Sequence, residues 1–190
     1  MNISSSYTTQ NQLLLNNLMD FYKNEQYLNK MLKIITGESK ISLRIVDWFA
    51  TNYAKKYYTL YTTNDSCNKT IRFKVYFDYK LKLKAYSKKR FDPFCRWERI
   101  SIPYKNETCI ETTIGQLNFF KWALENKVID YIEENYDIIE KDMNSRNSTS
   151  KRKENMTIDN SKTRKKREEL SISATKSIKK EEVEIVVEFH

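Results

Sequence analysis

Apolar residues recur at steps of three, four and seven through residues 11–35, at Leu14, Leu18, Phe21, Leu28, Leu32 and Ile35. This spacing predicts amphipathic helix, interrupted near Asn24 and stopped by Gly37. A second helix is predicted over residues 42–54, where Ile45, Phe49 and Tyr53 line one side and Ser42 is placed to cap the start. The period then changes to two. Residues 57–63 read as a strand, 64–66 as a turn and 71–85 as a long second strand. In that segment Ile71, Phe73, Val75, Phe77, Tyr79, Leu81, Leu83 and Ala85 alternate with Arg72, Lys74, Tyr76, Asp78, Lys80, Lys82, Lys84 and Tyr86, giving one apolar and one mostly cationic face.

Residues 87–97 read as a loop rich in Arg, Lys and aromatic residues, followed by a short strand at 99–102 that Pro103 ends. Two acidic helices are predicted over residues 113–126 and 128–143, with Leu117, Phe120, Leu124, Ile129, Ile132, Tyr136 and Ile139 facing inward and Thr112 or Thr113 as cap. From 144 the chain turns to Ser, Asn, Lys and Arg, too few apolar groups to offset the entropy of ordering. Alternation returns at 170–175 and 183–189, which predicts a terminal hairpin or strand pair docking on the sheet or on a protein partner. The expected organisation is therefore a disordered terminus over residues 1–10, a main α+β domain over 11–143 with an antiparallel sheet flanked by helices, a disordered basic linker over 144–168 and C-terminal strands over 169–190.

Charge sharpens this picture. Of the net +9, residues 1–41 carry +1, 42–100 carry +9 and 146–180 carry +8, offset by −5 over 101–145 and −4 over 181–190. Segregated basic blocks point to a polyanionic partner such as nucleic acid, although the excess of Lys over Arg and the abundance of Asn, Ile and Tyr also match AT-rich coding sequence. The candidate phosphate contacts are Arg72, Lys74, Lys80, Lys82 and Lys84 on the cationic strand face, extended by Lys88, Lys89, Arg90, Arg96 and Arg99 in the loop, with Tyr76 and Tyr86 as stacking surfaces. The competing reading is a solvated sheet face whose lysines discourage edge pairing. Lys151 and Arg152, separated by eleven residues from Arg164, Lys165, Lys166 and Arg167, form with them a two-part basic pattern that reads either as a nuclear-import signal or as a phosphate-binding tail.

Other chemistries fare less well. With only Gly37 and Gly115, no glycine-rich phosphate cradle exists, and the sole histidine is His190. Cys67, Cys95 and Cys109 form neither a disulfide framework nor a zinc ribbon. No cofactor, metal or catalytic group is expected. The one enzymatic alternative is a nuclease-like site with Asp78 and Lys80 on one strand face and Asp65 or Asp47 as second carboxylate for Mg²⁺. Residues 1–10 are polar and no apolar run is long enough for a bilayer, so an intracellular protein without a membrane partner is expected.

The strings Leu43-Arg-Ile-Val-Asp-Trp-Phe49, Lys88-Lys-Arg-Phe-Asp-Pro-Phe-Cys-Arg96 and Gly115-Gln-Leu-Asn-Phe-Phe-Lys-Trp122 resemble an uncharacterised, mimivirus-like family from giant DNA viruses. The resemblance covers about residues 40–145. It implies a setting, the viral factory in the host cytoplasm or the virion, and no activity. It favours the phosphate-binding reading of the basic tail over nuclear import. The function expected is non-enzymatic association with nucleic acid, in genome packaging or late gene expression, with a virion structural or protein-interaction component as the alternative.

Overall fold

The structure, a computed structural model, describes residues 9–64, 70–104, 108–156 and 180–182. It is mixed helix and strand. Helices α1 (Gln10–Tyr22) and α2 (Glu25–Thr36) meet at the predicted break, where the Asn24 side chain accepts from the Gln26 amide at 3.0 Å. Gly37 closes α2 in the left-handed region (φ 80°), a conformation that a side chain would strain. Ser42 caps α3 (Leu43–Trp48), which runs through a π-helical turn (Phe49–Tyr53) into the short α4 (Ala54–Lys56).

Strands β1 (Leu60–Asn64) and β2 (Thr70–Lys74) form an antiparallel pair, Tyr61 opposite Phe73. The structure then departs from the alternating pattern: α5 (Val75–Arg90) replaces the second half of the predicted long strand. Asp78 lies in its first turn and Lys88, Lys89 and Arg90 in its last, both favourable to the helix dipole. Strict alternation contains every fourth residue, so Val75, Tyr79 and Leu83, continued by Tyr86, form a helical stripe against the core. The alternate positions left over, Phe77 and Leu81, face solvent. At Ser87 (φ 62°) the helix kinks.

β3 (Arg99–Pro103) forms as expected and pairs with β4 (Thr108–Thr113), which the sequence reading left unassigned. β5 (Lys180–Glu182) adds to the other side of β4, so the strand order is β3–β4–β5. The segments 170–175 and 183–189, predicted as strands, lie outside the described residues.

The predicted acidic helices become α6 (Ile114–Glu125), α7 (Val128–Glu134) and α8 (Tyr136–Met156). The helical backbone of α8 continues to Met156, across the first part of the linker expected from 144; residues 157–168 lie outside the described residues. α6 is buried nearly all round, as a central core helix must be, and packs against α1, α5 and α7. Its Phe119 and Trp122 meet Phe91 and Tyr79 in a cluster of rings with centroids 5.2–6.4 Å apart. α8 is fastened to the α3–α4 segment by buried Asp142, which accepts from Lys56 Nζ (2.7 Å), Tyr57 OH (3.0 Å) and Trp48 Nε1 (3.2 Å).

Candidate nucleic-acid interface

The cationic strand face expected over residues 72–84 does not exist, because a 3.6-residue turn separates side chains that a strand would align. Lys80 and Lys84 stay together one helical turn apart on the exposed side of α5, with Lys88 beyond the kink. Lys82 turns away and lines a separate hollow with Asn17, Asn118, Lys121 and Glu125, walled by Tyr86 and Trp122. Arg72 and Lys74 remain on a strand. They stand opposite Thr62 and Leu60 on the outer face of the β1–β2 pair, while Phe73 points into the core.

The loop cations divide. Arg96 forms a forked pair with buried Asp92, Nε to Oδ2 at 2.8 Å and Nη2 to Oδ1 at 2.7 Å, and its guanidinium lies 5.0 Å over Phe94. Arg99 donates to Glu111 Oε2 at 3.0 Å, and Arg90 to Gln10 Oε1 at 2.8 Å. These three are committed to internal partners, which alternation and charge in the sequence could not reveal. Lys88 and Lys89 are exposed. Lys151 and Arg152 lie on the backbone of α8, and the 164–167 cluster lies outside the described residues.

Of the acidic helices' carboxylates, Asp130 and Glu133 are held by Lys30 and Asp137 by Lys40. Among the described residues Arg72, Lys74, Lys80, Lys84 and Lys88 have no carboxylate within ion-pair distance.

Beside this ridge the structure gathers Lys74 and Tyr76, both named from the sequence, with residues that the sequence did not single out. A hollow of about 350 Å³ is lined by Ala54, Lys55, Tyr58, Thr59, Leu60, Lys74, Tyr76 and Phe77, with two cations and no carboxylate among the described residues. Lys55 Nζ lies 5.8 Å from the Tyr76 ring centroid and Lys74 Nζ 5.9 Å from that of Phe77. Tyr58 is 78% exposed, Phe77 61% and Leu60 54%. Leu81, 65% exposed, lies one turn beyond Phe77 on α5. For the newly added residues the sequence signal is the run Lys55-Lys-Tyr-Tyr58, of which alternation placed only Tyr57 and Tyr58 in a strand.

The Asp78–Lys80 arrangement for a metal-dependent nuclease required a shared strand face. Instead Asp78 accepts from Trp122 Nε1 at 2.6 Å, and Lys80 points to the other side of the helix. Asp65 lies outside the described residues. Asp47, half-buried on α3, sits in the field of Asp92 and Arg96; burial, reinforced by Asp92, pushes its carboxyl up to about 6 against the pull of Arg96. Among the described residues no three His, Cys, Asp or Glu side chains gather as a metal site, and no helix is long and apolar enough to cross a membrane.

Residues 1–188 match the family of unknown function DUF7197. The chain belongs to this family. A DUF7197 chain of this kind is similar to Uncharacterized protein L507 of Acanthamoeba polyphaga mimivirus, at 46% identity over 150 residues, 75% of this chain and 56% of that protein. The chain thus spans just over half the length of that relative. The giant-virus resemblance read in the three strings agrees with this match. No solved structure matches. In the structure the second and third strings are packed together: Gln116 Nε2 donates to Pro93 O and Asn118 Nδ2 to Arg90 O, both at 2.8 Å.

Proposed function

We propose that this DUF7197 protein is a non-enzymatic nucleic-acid-associated protein that grips phosphates through the outer ridge of α5 and the outer face of the β1–β2 pair. The observation that carries the reading is that Lys80 and Lys84 stand one turn apart in solvent, on the helix that directly follows the strand of Arg72 and Lys74, with no described carboxylate in reach. Unpaired cations that repel one another across one surface are stabilised by a bound polyanion. The basic block over residues 146–180 raises local affinity for the same strand without reading its sequence. In the setting of its viral relative, the role is genome packaging or late gene expression, in the viral factory or the virion.

The test is binding of labelled DNA and RNA across roughly 50 to 200 mM salt. Replacing Lys80 and Lys84 by Ala lowers the log–log salt slope by about 1.5 if each neutralises one phosphate. Undetectable binding by the wild-type chain at the lowest salt overturns the reading and favours a virion structural or protein-interaction role, for which the exposed Phe77 and Leu81 would be the contact.

A further inference from the structure

We infer that the hollow between α4, β1 and α5 is a base-stacking pocket that selects single-stranded over duplex nucleic acid. The inference rests on the phosphate-binding reading above and assigns the class of strand that this surface takes.

Tyr58 carries the argument. The Thr59 amide donates to Ala54 O at 3.2 Å, the six-to-one bond of a helix end whose penultimate residue sits in the left-handed region. That residue is Tyr58, at φ 47°. Glycine occupies such positions without strain, whereas a tyrosine there is an outlier that packing normally justifies. Here packing gives no return: the side chain is exposed, and no described residue stacks on it or hydrogen-bonds to it. A strained residue that presents its ring to solvent points to a ligand for that ring.

The surroundings define the ligand. Phe77, also exposed, lines the same hollow, so a second aromatic ring is available. Lys55 and Lys74 line the same hollow, and its described lining has no carboxylate. Aromatic faces beside cations fit unpaired bases and their phosphates. In a duplex the base faces are already covered by stacking, so this pocket gives it nothing beyond phosphate contact. Along α5, Lys80 and Lys84 continue the cationic line from Phe77 at steps of three and four, which extends the track for a strand leaving the pocket.

The experiment measures the affinity of the full chain for labelled single strands of about twelve nucleotides and for a duplex of equal length, with Phe77→Ala and Tyr58→Gly beside the wild type. The expected result is single-strand binding about tenfold tighter than duplex binding, a loss of about tenfold in each variant for the single strand alone, and an unchanged salt slope, because stacking releases no counterions. Tyr58→Gly removes the backbone strain, so its thermal midpoint holds or rises while affinity falls, which a purely structural role for Tyr58 would not produce. Equal affinity for both forms, or variants within about twofold of wild type on single strands, overturns the inference and leaves the hollow to a protein partner. In that case salt-dependent binding that needs Lys80 and Lys84 keeps the phosphate-binding reading alive. Absence of any binding ends both.

Discussion

Trp122 donates its indole N–H to Asp78 Oδ1 at 2.6 Å, joining the last turn of the central helix α6 to the first turn of α5. The bond fixes the rotation of α5 about its axis, and hence which lysines face out. Asp78→Ala strands a buried indole donor and costs about 1–3 kcal/mol, read as a drop in the urea midpoint. If the carboxylate served instead to coordinate an ion, its removal would leave stability unchanged and abolish an ion-dependent activity.

Gly115 marks a second contact with the C-terminal end of α5. A Cβ there would lie 2.8 Å from Lys89 O and 3.4 Å from Phe91 N, both backbone atoms, and Asp92 N donates to Gly115 O at 3.2 Å. Gly115→Ala forces this junction apart at a cost of about 1–3 kcal/mol despite the better helix propensity of alanine. Chemical denaturation checks this, and a neutral or stabilising result would show that the junction yields.

Asp47 gives the fold a pH dependence of unusual sign. Its folded pKa, about 6, exceeds the unfolded value of 3.8, so the native state holds the proton more tightly. The Asp47 contribution to stability is therefore greatest below pH 4 and is lost as pH rises towards 6, by at most about 3 kcal/mol for a shift of this size. Asp47→Asn removes that loss. Its stability relative to wild type rises by about 1–3 kcal/mol between about pH 4.5 and pH 7.5, measured by urea unfolding at both.

Asp142 acts in the opposite direction. Burial alone would raise its carboxyl, but hydrogen bonds from Lys56, Tyr57 and Trp48 outweigh burial and hold it below the usual range. Its contribution is present above pH 4 and is lost as pH falls through the lowered value. Asp142→Ala leaves three donors without their acceptor and costs about 2–3 kcal/mol at neutral pH. The first amide protons to exchange faster in that variant are expected where α8 meets α3.

Where a helix announces itself by its ends, the sequence was readable: Asn24, Gly37, Ser42 and Thr113 all act as the boundaries their chemistry implies. α5 was not readable in the same way. Val75, Tyr79 and Leu83 satisfy both a two-residue and a four-residue period, and the arbitration comes from the core that Trp122 and Phe91 build around Tyr79. The identities of the cationic residues were visible in the sequence, but their directions depended on that choice. The commitments of Arg96 and Arg99 to Asp92 and Glu111 are tertiary facts. β4 escaped because Cys109, Glu111 and three threonines give no clean alternation, and its stability comes from the pairing with β3.

The pairing of β5 with β4 joins Ile110 to Lys180, seventy positions apart along the chain. Closing so long a loop brings its entropic cost before any ladder bond repays it, whereas β3 and β4 are joined by a short connection. During synthesis β4 is therefore complete, and paired on one side, long before the strand that covers its other edge has been made. Through that interval the nascent chain carries a bare row of backbone donors and acceptors, and its risk of misassembly lies with the order in which its parts appear.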